Sequence, residues 1–173
     1  MTSSLHFEAE LVVAIGGEGG LRIPKDKALD QIFGFAIGCD LTRRDLQSQA
    51  KKMGRPWATA KGFDYSAPCS AIVPKEETDL TCALFTSSSP PMSDTKITLH
   101  VNDEIRQDAT LDQMIWNIPE MISTLSEYFR LKPGDLIMTG TPAGVGEIVT
   151  GDQVVAQCGD LPLCEFGVGH QED

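Results

Sequence analysis

Two glutamates near the N-terminus have the spacing of a metal-binding pair. Glu8 and Glu10 stand two residues apart in a segment whose alternation predicts a strand, so both side chains leave the same face. Two neighbouring carboxylates repel each other unless a cation or a proton lies between them. Because Mg²⁺ and Mn²⁺ bind carboxylate oxygens well, the pair predicts a metal site. The alternative is an edge strand whose glutamates face solvent, since this spacing is common.

A third carboxylate follows the apolar run Phe33–Cys39, which predicts a buried strand. Asp40 stands at the end of that strand, where ligands often gather in sheet proteins. The alternative is a helix N-cap, although Thr42 competes for that position, with Asp45 three residues after it, as in a capping box. Three carboxylates on one Mg²⁺ would leave about three positions for water or substrate, which is typical of a catalytic site.

Cationic and polar side chains come next along the chain. Arg44 and Gln47 are three residues apart in a predicted amphipathic helix and share one of its faces. Lys61 follows an apolar stretch, where a lysine either extends towards solvent or meets an anion. Thr141 belongs to the glycine-rich loop 139–146, whose N–H groups and hydroxyl resemble an anion-binding cradle. Glycine-rich turns without a function are at least as frequent.

The composition limits the classes of partner. A chain of 173 residues with 41% hydrophobic residues suits one soluble domain with a sizeable core. The formal net charge of -11 argues against nucleic acid and against an anionic membrane surface as partners. No apolar run approaches the roughly 18–20 residues that span a bilayer. The composition therefore excludes these two classes of partner and does not identify the substrate.

The five cysteines favour free thiols in a reducing compartment, hence a cytoplasmic protein. Their number is odd, their spacing is irregular and no C-x-x-C occurs, which argues against a disulfide framework or a zinc site. Cys158 and Cys164 flank a predicted turn and form the alternative, a pair that would join if oxidised.

Predicted strands outnumber predicted helices and do not alternate with them, so a doubly wound parallel sheet is not expected. We predict an α+β fold that is mainly β, with mixed, largely antiparallel pairing and helices packed outside. A return strand is predicted at 21–23, a mobile loop at 86–95, a hairpin from 96–101 and 104–107, and a helix at 118–129. Further strands are predicted at 71–74, 136–138, 153–157 and 163–168.

Four motifs in this order and spacing resemble the catalytic domain of the fumarylacetoacetate hydrolase family. They are Glu8-Ala9-Glu10-Leu11, Cys39-Asp40-Leu41-Thr42-Arg43-Arg44-Asp45-Leu46-Gln47, Ala60-Lys61-Gly62-Phe63-Asp64 and Thr139-Gly140-Thr141-Pro142-Ala143-Gly144-Val145-Gly146. The likeness covers roughly residues 5–169, and the motifs are specific together although each is weak alone. Within the family, Gly54-Arg55-Pro56-Trp57 and Gln113-Met114-Ile115-Trp116 look most similar to fumarylpyruvate and acylpyruvate hydrolases.

This resemblance implies a β-roll fold, a homodimer and a single catalytic domain over residues 1–173. It implies that Glu8, Glu10 and Asp40 bind Mg²⁺ or Mn²⁺, with Ca²⁺ as a further ion that such a site takes in crystals. It also implies substrate contacts from Arg44, Gln47, Lys61 and Thr141, with Lys61 as a catalytic residue. The implied reaction is hydrolysis of a carbon–carbon bond in a 2,4-dioxo acid.

One departure from the family concerns the water-activating base. Relatives with this activity carry a histidine and a glutamate on a lid segment ahead of the E-x-E strand, whereas this sequence contains no H-x-x-E, and Phe7 stands where relatives often have a second histidine. We therefore expect that the lid segment is missing, which would also make a mitochondrial location an alternative. His6 is expected either beside the metal ligands or on the surface.

Three hypotheses follow from this departure. The first is the hydrolase itself, most similar to fumarylpyruvate hydrolase. The second keeps the metal site for oxaloacetate decarboxylation or oxo-acid tautomerisation, because a metal-stabilised enolate serves all of these reactions. The third is a non-catalytic protein that binds the metal or an oxo acid and has lost its base.

Overall fold

Three antiparallel sheets make up most of this computed structural model, which describes residues 2–85 and 94–169. The strands are β1 Leu5–Phe7, β2 Ala9–Ile15, β3 Ile32–Cys39, β4 Thr42–Arg43, β5 Val73–Pro74, β6 Lys96–Val101, β7 Glu104–Thr110, β8 Leu136–Met138, β9 Gly146–Ile148, β10 Gln153–Cys158 and β11 Cys164–Gly167. The helices are α1 Arg44–Lys52, α2 Ala58–Lys61, α3 Leu80–Phe85 and α4 Ile118–Tyr128. Most of the loop predicted at 86–95 lies outside the described residues.

The sheet that carries the predicted carboxylates has the strand order β5-β3-β2-β8. All seven residues of β2 are buried, on both faces of the strand. Six of them are apolar, and Glu10 is the one charged residue. The pairing of β2 with β3 sets Ala9 opposite Cys39 and Glu10 opposite Gly38. The register therefore brings the start of β2 next to the end of β3.

A second sheet packs on the first and has the order β11-β10-β6-β7. Its inner face alternates along β6 and β10, where Ile97, Leu99, Val154 and Ala156 are buried in the common core. Asn102 adopts a positive φ of 55° in the turn between β6 and β7, a conformation that asparagine tolerates. The predicted hairpin is present, and β7 extends three residues beyond the predicted end.

The smallest sheet, β4-β1-β9, corrects the prediction of a helix N-cap at Thr42. Thr42 pairs with His6 in β1, so its backbone is extended, and it is fully buried. Its hydroxyl donates to the Asp40 carbonyl oxygen and not to a helix N-terminus. Helix α1 begins two residues later, and Asp45 accepts hydrogen bonds from Thr2 and Ser3 instead of closing a capping box. Pairing between distant strands overrides the local capping signal.

Other local predictions fare differently. The prediction of a return strand at 21–23 is wrong. Gly20 forms an isolated bridge with Leu131, and residues 21–23 belong to no strand. Helix α4 is present and begins with a full capping box between Asn117 and Glu120. Strand β9 and helix α3 are elements that the sequence did not predict.

The predicted fold class is confirmed. The structure is mainly sheet, and every strand pairing within the described residues is antiparallel. Among the described residues, no helix is both long and apolar enough to cross a membrane. Cys39, Cys69, Cys158 and Cys164 are free thiols.

Candidate active site

Three carboxylates from two neighbouring strands converge at one end of the first sheet. Glu8 stands between β1 and β2, Glu10 lies in β2, and Asp40 directly follows β3. The Asp40 N–H donates to the Glu8 carbonyl oxygen at 2.8 Å, which fixes the two backbones side by side. One oxygen of each carboxylate lies within 4.8 Å of the other two. The alternative of solvent-facing glutamates is wrong, since Glu8 is 8% and Glu10 4% exposed.

Two cations neutralise part of this charge. Lys61, at the end of α2, places its Nζ 2.6 Å from Glu8 Oε2 and 2.5 Å from Asp40 Oδ2. Arg44, the first residue of α1, places its Nη2 2.6 Å from Glu8 Oε1. Its other nitrogen, Nη1, donates to Gln47 Oε1 at 2.6 Å, as expected for residues three apart on one helical face. Lys61 therefore meets anions rather than solvent.

Burial changes the proton affinities in this cluster. Loss of solvation raises the pKa of Glu10 to about 7, and a hydrogen bond from Gly140 N–H opposes part of that rise. Burial also raises the pKa of Asp40, even though Lys61 works in the opposite direction. For Lys61, burial lowers the pKa, but its hydrogen bonds to Asp40 and Glu8 outweigh burial and the net change is upward. The Lys61 ammonium therefore remains charged, whereas the Glu10 carboxyl gains or loses its proton near neutral pH.

The glycine-rich loop after β8 lies directly against the carboxylates. Thr139 donates its N–H at 3.2 Å and its hydroxyl at 2.8 Å to the Leu11 carbonyl oxygen, which attaches the loop to β2. Gly140 N–H then donates to Glu10 Oε2 at 2.6 Å. Thr141, the next residue, lines a cavity of about 430 Å³ together with Leu111, Met114 and Trp116 among others. The loop thus connects the carboxylates to a space of small-molecule size.

The structure brings most of the predicted site residues together. Ion pairs and hydrogen bonds connect Glu8, Asp40, Arg44, Gln47 and Lys61 directly. Glu10 joins them through the short distances among the carboxylates, and Thr141 lies one residue beyond the loop N–H that binds Glu10.

His6 does not bond to the carboxylates. Its Nε2 lies 3.1 Å from Ser4 Oγ, while burial and the charge of Arg44 lower its pKa. Its Nδ1 is buried and has no partner among the described residues. The imidazole is thus a neutral neighbour of the cluster rather than a direct contact of a carboxylate.

Two contributors were not recognised in the sequence. Gly140 donates its backbone N–H, which no residue type can reveal in advance. Gln107, on β7 of the second sheet, donates to Thr141 Oγ1 and accepts from Ala9 N–H. Its neighbours in sequence are charged and exposed, so nothing local marked it as buried. Its position depends on how the second sheet packs against β2.

The donor set fits a hard divalent cation. Three carboxylates offer oxygen atoms, the ligand type that Mg²⁺ and Mn²⁺ prefer. Among the described residues, the ion pairs of Glu8 and Asp40 leave Glu10 without a cationic partner, although it is nearly fully buried. A buried carboxylate in that state either holds a proton or meets a metal ion.

Comparisons with known proteins agree with this picture. The sequence model described as fumarylacetoacetate (FAA) hydrolase C-terminal matches residues 1–169. A fumarylpyruvate hydrolase of Ralstonia sp is 41% identical over 171 residues, which are 99% of this chain and 82% of the relative. The mitochondrial oxaloacetate tautomerase of Mus musculus is 40% identical over 169 residues, 98% of this chain and 71% of the relative.

A solved structure is also similar throughout. The fumarylpyruvate hydrolase from Pseudomonas aeruginosa, crystallised in complex with Mn²⁺ and pyruvate, superposes with a TM-score of 0.85 at 39% identity. The match covers 99% of this chain and 68% of that chain. The four motifs singled out in the sequence thus belong to a likeness that extends over nearly the whole chain.

Proposed function

Because the chain belongs to the fumarylacetoacetate hydrolase family, we propose that it is a metal-dependent hydrolase that cleaves a carbon–carbon bond of a 2,4-dioxo acid. The products are pyruvate and a carboxylic acid, as from fumarylpyruvate or another acylpyruvate. The observation that carries this proposal is the buried cluster of Glu8, Glu10 and Asp40, with Lys61 between two of its carboxylates. A core has no need of such a cluster, whereas an oxo-acid enzyme does.

The ion that we propose for Glu8, Glu10 and Asp40 is Mg²⁺ or Mn²⁺. Support comes from the three hard oxygen donors and from the Mn²⁺ in the related Pseudomonas aeruginosa structure. When bound, such an ion supplies Lewis acidity to the keto and carboxylate oxygens of an oxo acid.

We propose that the remaining side chains contact different parts of the substrate. Arg44 and Gln47, already hydrogen-bonded to each other, offer N–H groups to the polar ends of the dioxo acid. Lys61 keeps its positive charge, so it stabilises the oxyanion that forms when water adds to the distal carbonyl carbon. Thr141 offers its hydroxyl at the cavity wall.

Atoms balance across this hydrolysis. Water adds its oxygen to the distal carbonyl carbon, and the bond between that carbon and the adjacent methylene carbon breaks. The methylene carbon leaves as part of the enolate of pyruvate. One proton from water ends on this carbon and gives the methyl group of pyruvate. The order of events therefore requires one group that takes a proton from water and one that returns it.

The second candidate function is tautomerisation or decarboxylation of oxaloacetate. The observation that favours it is the 40% identity to the oxaloacetate tautomerase of Mus musculus. Both reactions share the enolate with the hydrolysis but do not need an attacking water. They therefore use the same carboxylates and Lys61 without a water-activating base.

One set of assays separates these functions. We expect the protein with Mg²⁺ or Mn²⁺ to release pyruvate and fumarate from fumarylpyruvate, and Asp40→Asn to abolish this release. An exposed carboxylate in the turn before β7 provides the matched control, Asp103→Asn, which keeps activity. Loss of the enol band of oxaloacetate or release of CO₂, without cleavage of fumarylpyruvate, would replace the hydrolase with the second candidate. Binding of pyruvate with no turnover of either substrate would indicate a non-catalytic protein.

Assembly and location complete the proposal. We further propose a homodimer, on the basis of the family to which the chain belongs. Residues 1–173 act as one catalytic domain, and the free thiols suit a reducing compartment such as the cytoplasm. The mitochondrial name of the Mus musculus relative makes that organelle the alternative. Light scattering coupled to size-exclusion chromatography tests the homodimer, and imaging of a tagged chain in cells tests the location.

A further inference from the structure

Gln107 uses every polar atom of its buried side chain. It lies on the inner face of β7 and is 1% exposed. Its Oε1 accepts from Ala9 N–H at 3.0 Å, and Ala9 stands between Glu8 and Glu10 in the sequence. Its Nε2 donates to Thr141 Oγ1 at 2.8 Å and to the Pro142 carbonyl oxygen at 2.9 Å. One amide therefore joins the strand of the carboxylates to the loop of the proposed substrate contact.

The partners decide which end of the amide faces the loop. A backbone N–H only donates, so the Gln107 atom facing Ala9 must be the carbonyl oxygen. A backbone carbonyl only accepts, so the atom facing Pro142 must be the amide nitrogen. The second hydrogen of that nitrogen then points to Thr141 Oγ1, which makes the threonine oxygen an acceptor in this bond.

This bond directs the threonine hydroxyl. Because Thr141 Oγ1 accepts from Gln107, its own proton is free to donate in another direction. Among the residues that the structure describes, the Thr141 hydroxyl donates no hydrogen bond. Thr141 lines a cavity whose wall also includes Gly140, the residue whose N–H donates to Glu10. We propose that Gln107 is a positioning residue that presents the Thr141 hydroxyl as a hydrogen-bond donor to a carboxylate oxygen of the oxo-acid substrate. This inference rests on the proposed function.

The surrounding backbone explains why Gln107 reaches the loop. The register of β6 and β7 shifts between Leu99 and His100, which pair with Gln107 and Ile105, so Arg106 is the extra residue of a β-bulge. The bulge breaks the alternation of β7, leaving Ile105 exposed while Gln107 points inward.

Close packing of the loop on β7 gives Gln107 a fixed target. Gly144 adopts a φ of 103° with its α-carbon against the Arg106 carbonyl oxygen, where a Cβ would clash. Ala9 lies at an edge of β2 that β8 does not reach, since β8 pairs with residues 12–14 only. The Gln107 carbonyl thus replaces a missing strand partner there.

A double-mutant cycle tests the proposal. Gln107→Met keeps the size of the side chain and removes its hydrogen bonds, and Thr141→Val removes the hydroxyl. For the Mn²⁺-loaded protein, we expect Gln107→Met to raise the Kd of pyruvate and the KM of fumarylpyruvate about tenfold. In the Thr141→Val background the same change should cost less than about twofold, because the hydroxyl that Gln107 directs is absent. Equal losses in both backgrounds would overturn the proposal.

Two further measurements separate positioning from a general structural role. The Kd of Mn²⁺ should stay within about twofold of wild type in Gln107→Met. A loss of Mn²⁺ affinity as large as the loss of pyruvate affinity would contradict the proposal. Gln31→Met is the matched control, since it deletes an amide hydrogen bond to Gly19 N–H far from Thr141 and should leave pyruvate binding unchanged.

Gln107→Glu serves if Gln107→Met does not fold. Its carboxylate still accepts from Ala9 N–H but, when ionised, cannot donate to Thr141, so pyruvate binding should fall by a similar factor. Wild-type pyruvate affinity in Gln107→Glu would overturn the proposal. Because the pyruvate titration needs no turnover, a failure of the hydrolase assay on wild type would refute the proposed function and leave this test intact.

Discussion

Glu10 is the residue of the cluster whose charge is least compensated. Glu8 and Asp40 each contact Lys61, whereas the one hydrogen bond that Glu10 accepts comes from the backbone of Gly140 in the part of the chain that the structure describes. Burial, the main cause, raises the pKa of Glu10 to about 7. In the metal-free protein, Glu10 is therefore a source of destabilisation that depends on pH.

The sign of this dependence is determined by the raised pKa. The pKa of Glu10 is near 4.5 in the unfolded chain and about 7 in the folded protein, so the folded state binds more protons between these values. The free energy of unfolding therefore falls as pH rises from 4.5 to 7 and is constant with respect to Glu10 outside that window. We expect a contribution of up to about 3 kcal/mol.

Comparison with Glu10→Gln isolates this contribution. The amide stays neutral at every pH, so metal-free Glu10→Gln should become more stable relative to wild type as pH rises through this window. Urea denaturation in the presence of a chelator at pH 5, 6 and 7.5 measures the difference. Glu127→Gln, at an exposed position of α4, is the control. A difference that does not change with pH would contradict the raised pKa of Glu10.

At the scale of the element, a serine attaches α4 to Arg22 and Ile23, which lie between β2 and β3 in the chain. Ser126 is fully buried, and its hydroxyl accepts from Ile23 N–H at 2.8 Å and donates to the Ser123 carbonyl oxygen at 2.7 Å. Arg22 N–H also donates to the Ser126 carbonyl oxygen at 2.8 Å. The segment that was predicted to be a return strand is thus held by a helix instead of by a neighbouring strand.

Ser126→Ala should destabilise the protein by about 1–3 kcal/mol, because it leaves the buried Ile23 N–H without an acceptor. Ser123→Ala is the matched control on the same helix, since its carbonyl oxygen remains and alanine favours a helix slightly. Urea denaturation of both variants measures the effect. Equal stability of the two variants would show that water satisfies Ile23 N–H after the change.

These elements show what the sequence can and cannot predict. The alternation around Glu8 and Glu10 and the apolar run before Asp40 are local signals, so spacing makes these carboxylates candidates for a metal site, and the family resemblance implies the full ligand set. Thr42 carried an equally local capping signal, but pairing with His6 overrode it. Gln107 carried no signal, because its burial follows from the packing of one sheet on another. Non-local pairing and packing therefore limit prediction of the site from sequence.

On the scale of the whole molecule, the candidate site joins parts that are distant in sequence. Carboxylates come from the first sheet, cations from α1 and α2, and the loop after β8 is fastened both to β2 and, through Gln107, to β7 of the second sheet. The folded chain alone assembles the three carboxylates, so an ion that binds all three has no comparable site in the unfolded chain. Binding of a metal ion is therefore coupled to global folding.

This coupling predicts that Mn²⁺ stabilises the entire protein. A ligand that binds only the folded state adds about 2.7 kcal/mol at a concentration of one hundred times its Kd, so the Tm should rise by several degrees. Asp40→Asn should remove most of this rise, while the control Asp103→Asn should keep it, because Asp103 lies at an exposed turn. Differential scanning calorimetry with and without Mn²⁺ measures both. A rise in Tm that survives in Asp40→Asn would place the Mn²⁺ elsewhere and would separate the carboxylate cluster from the metal.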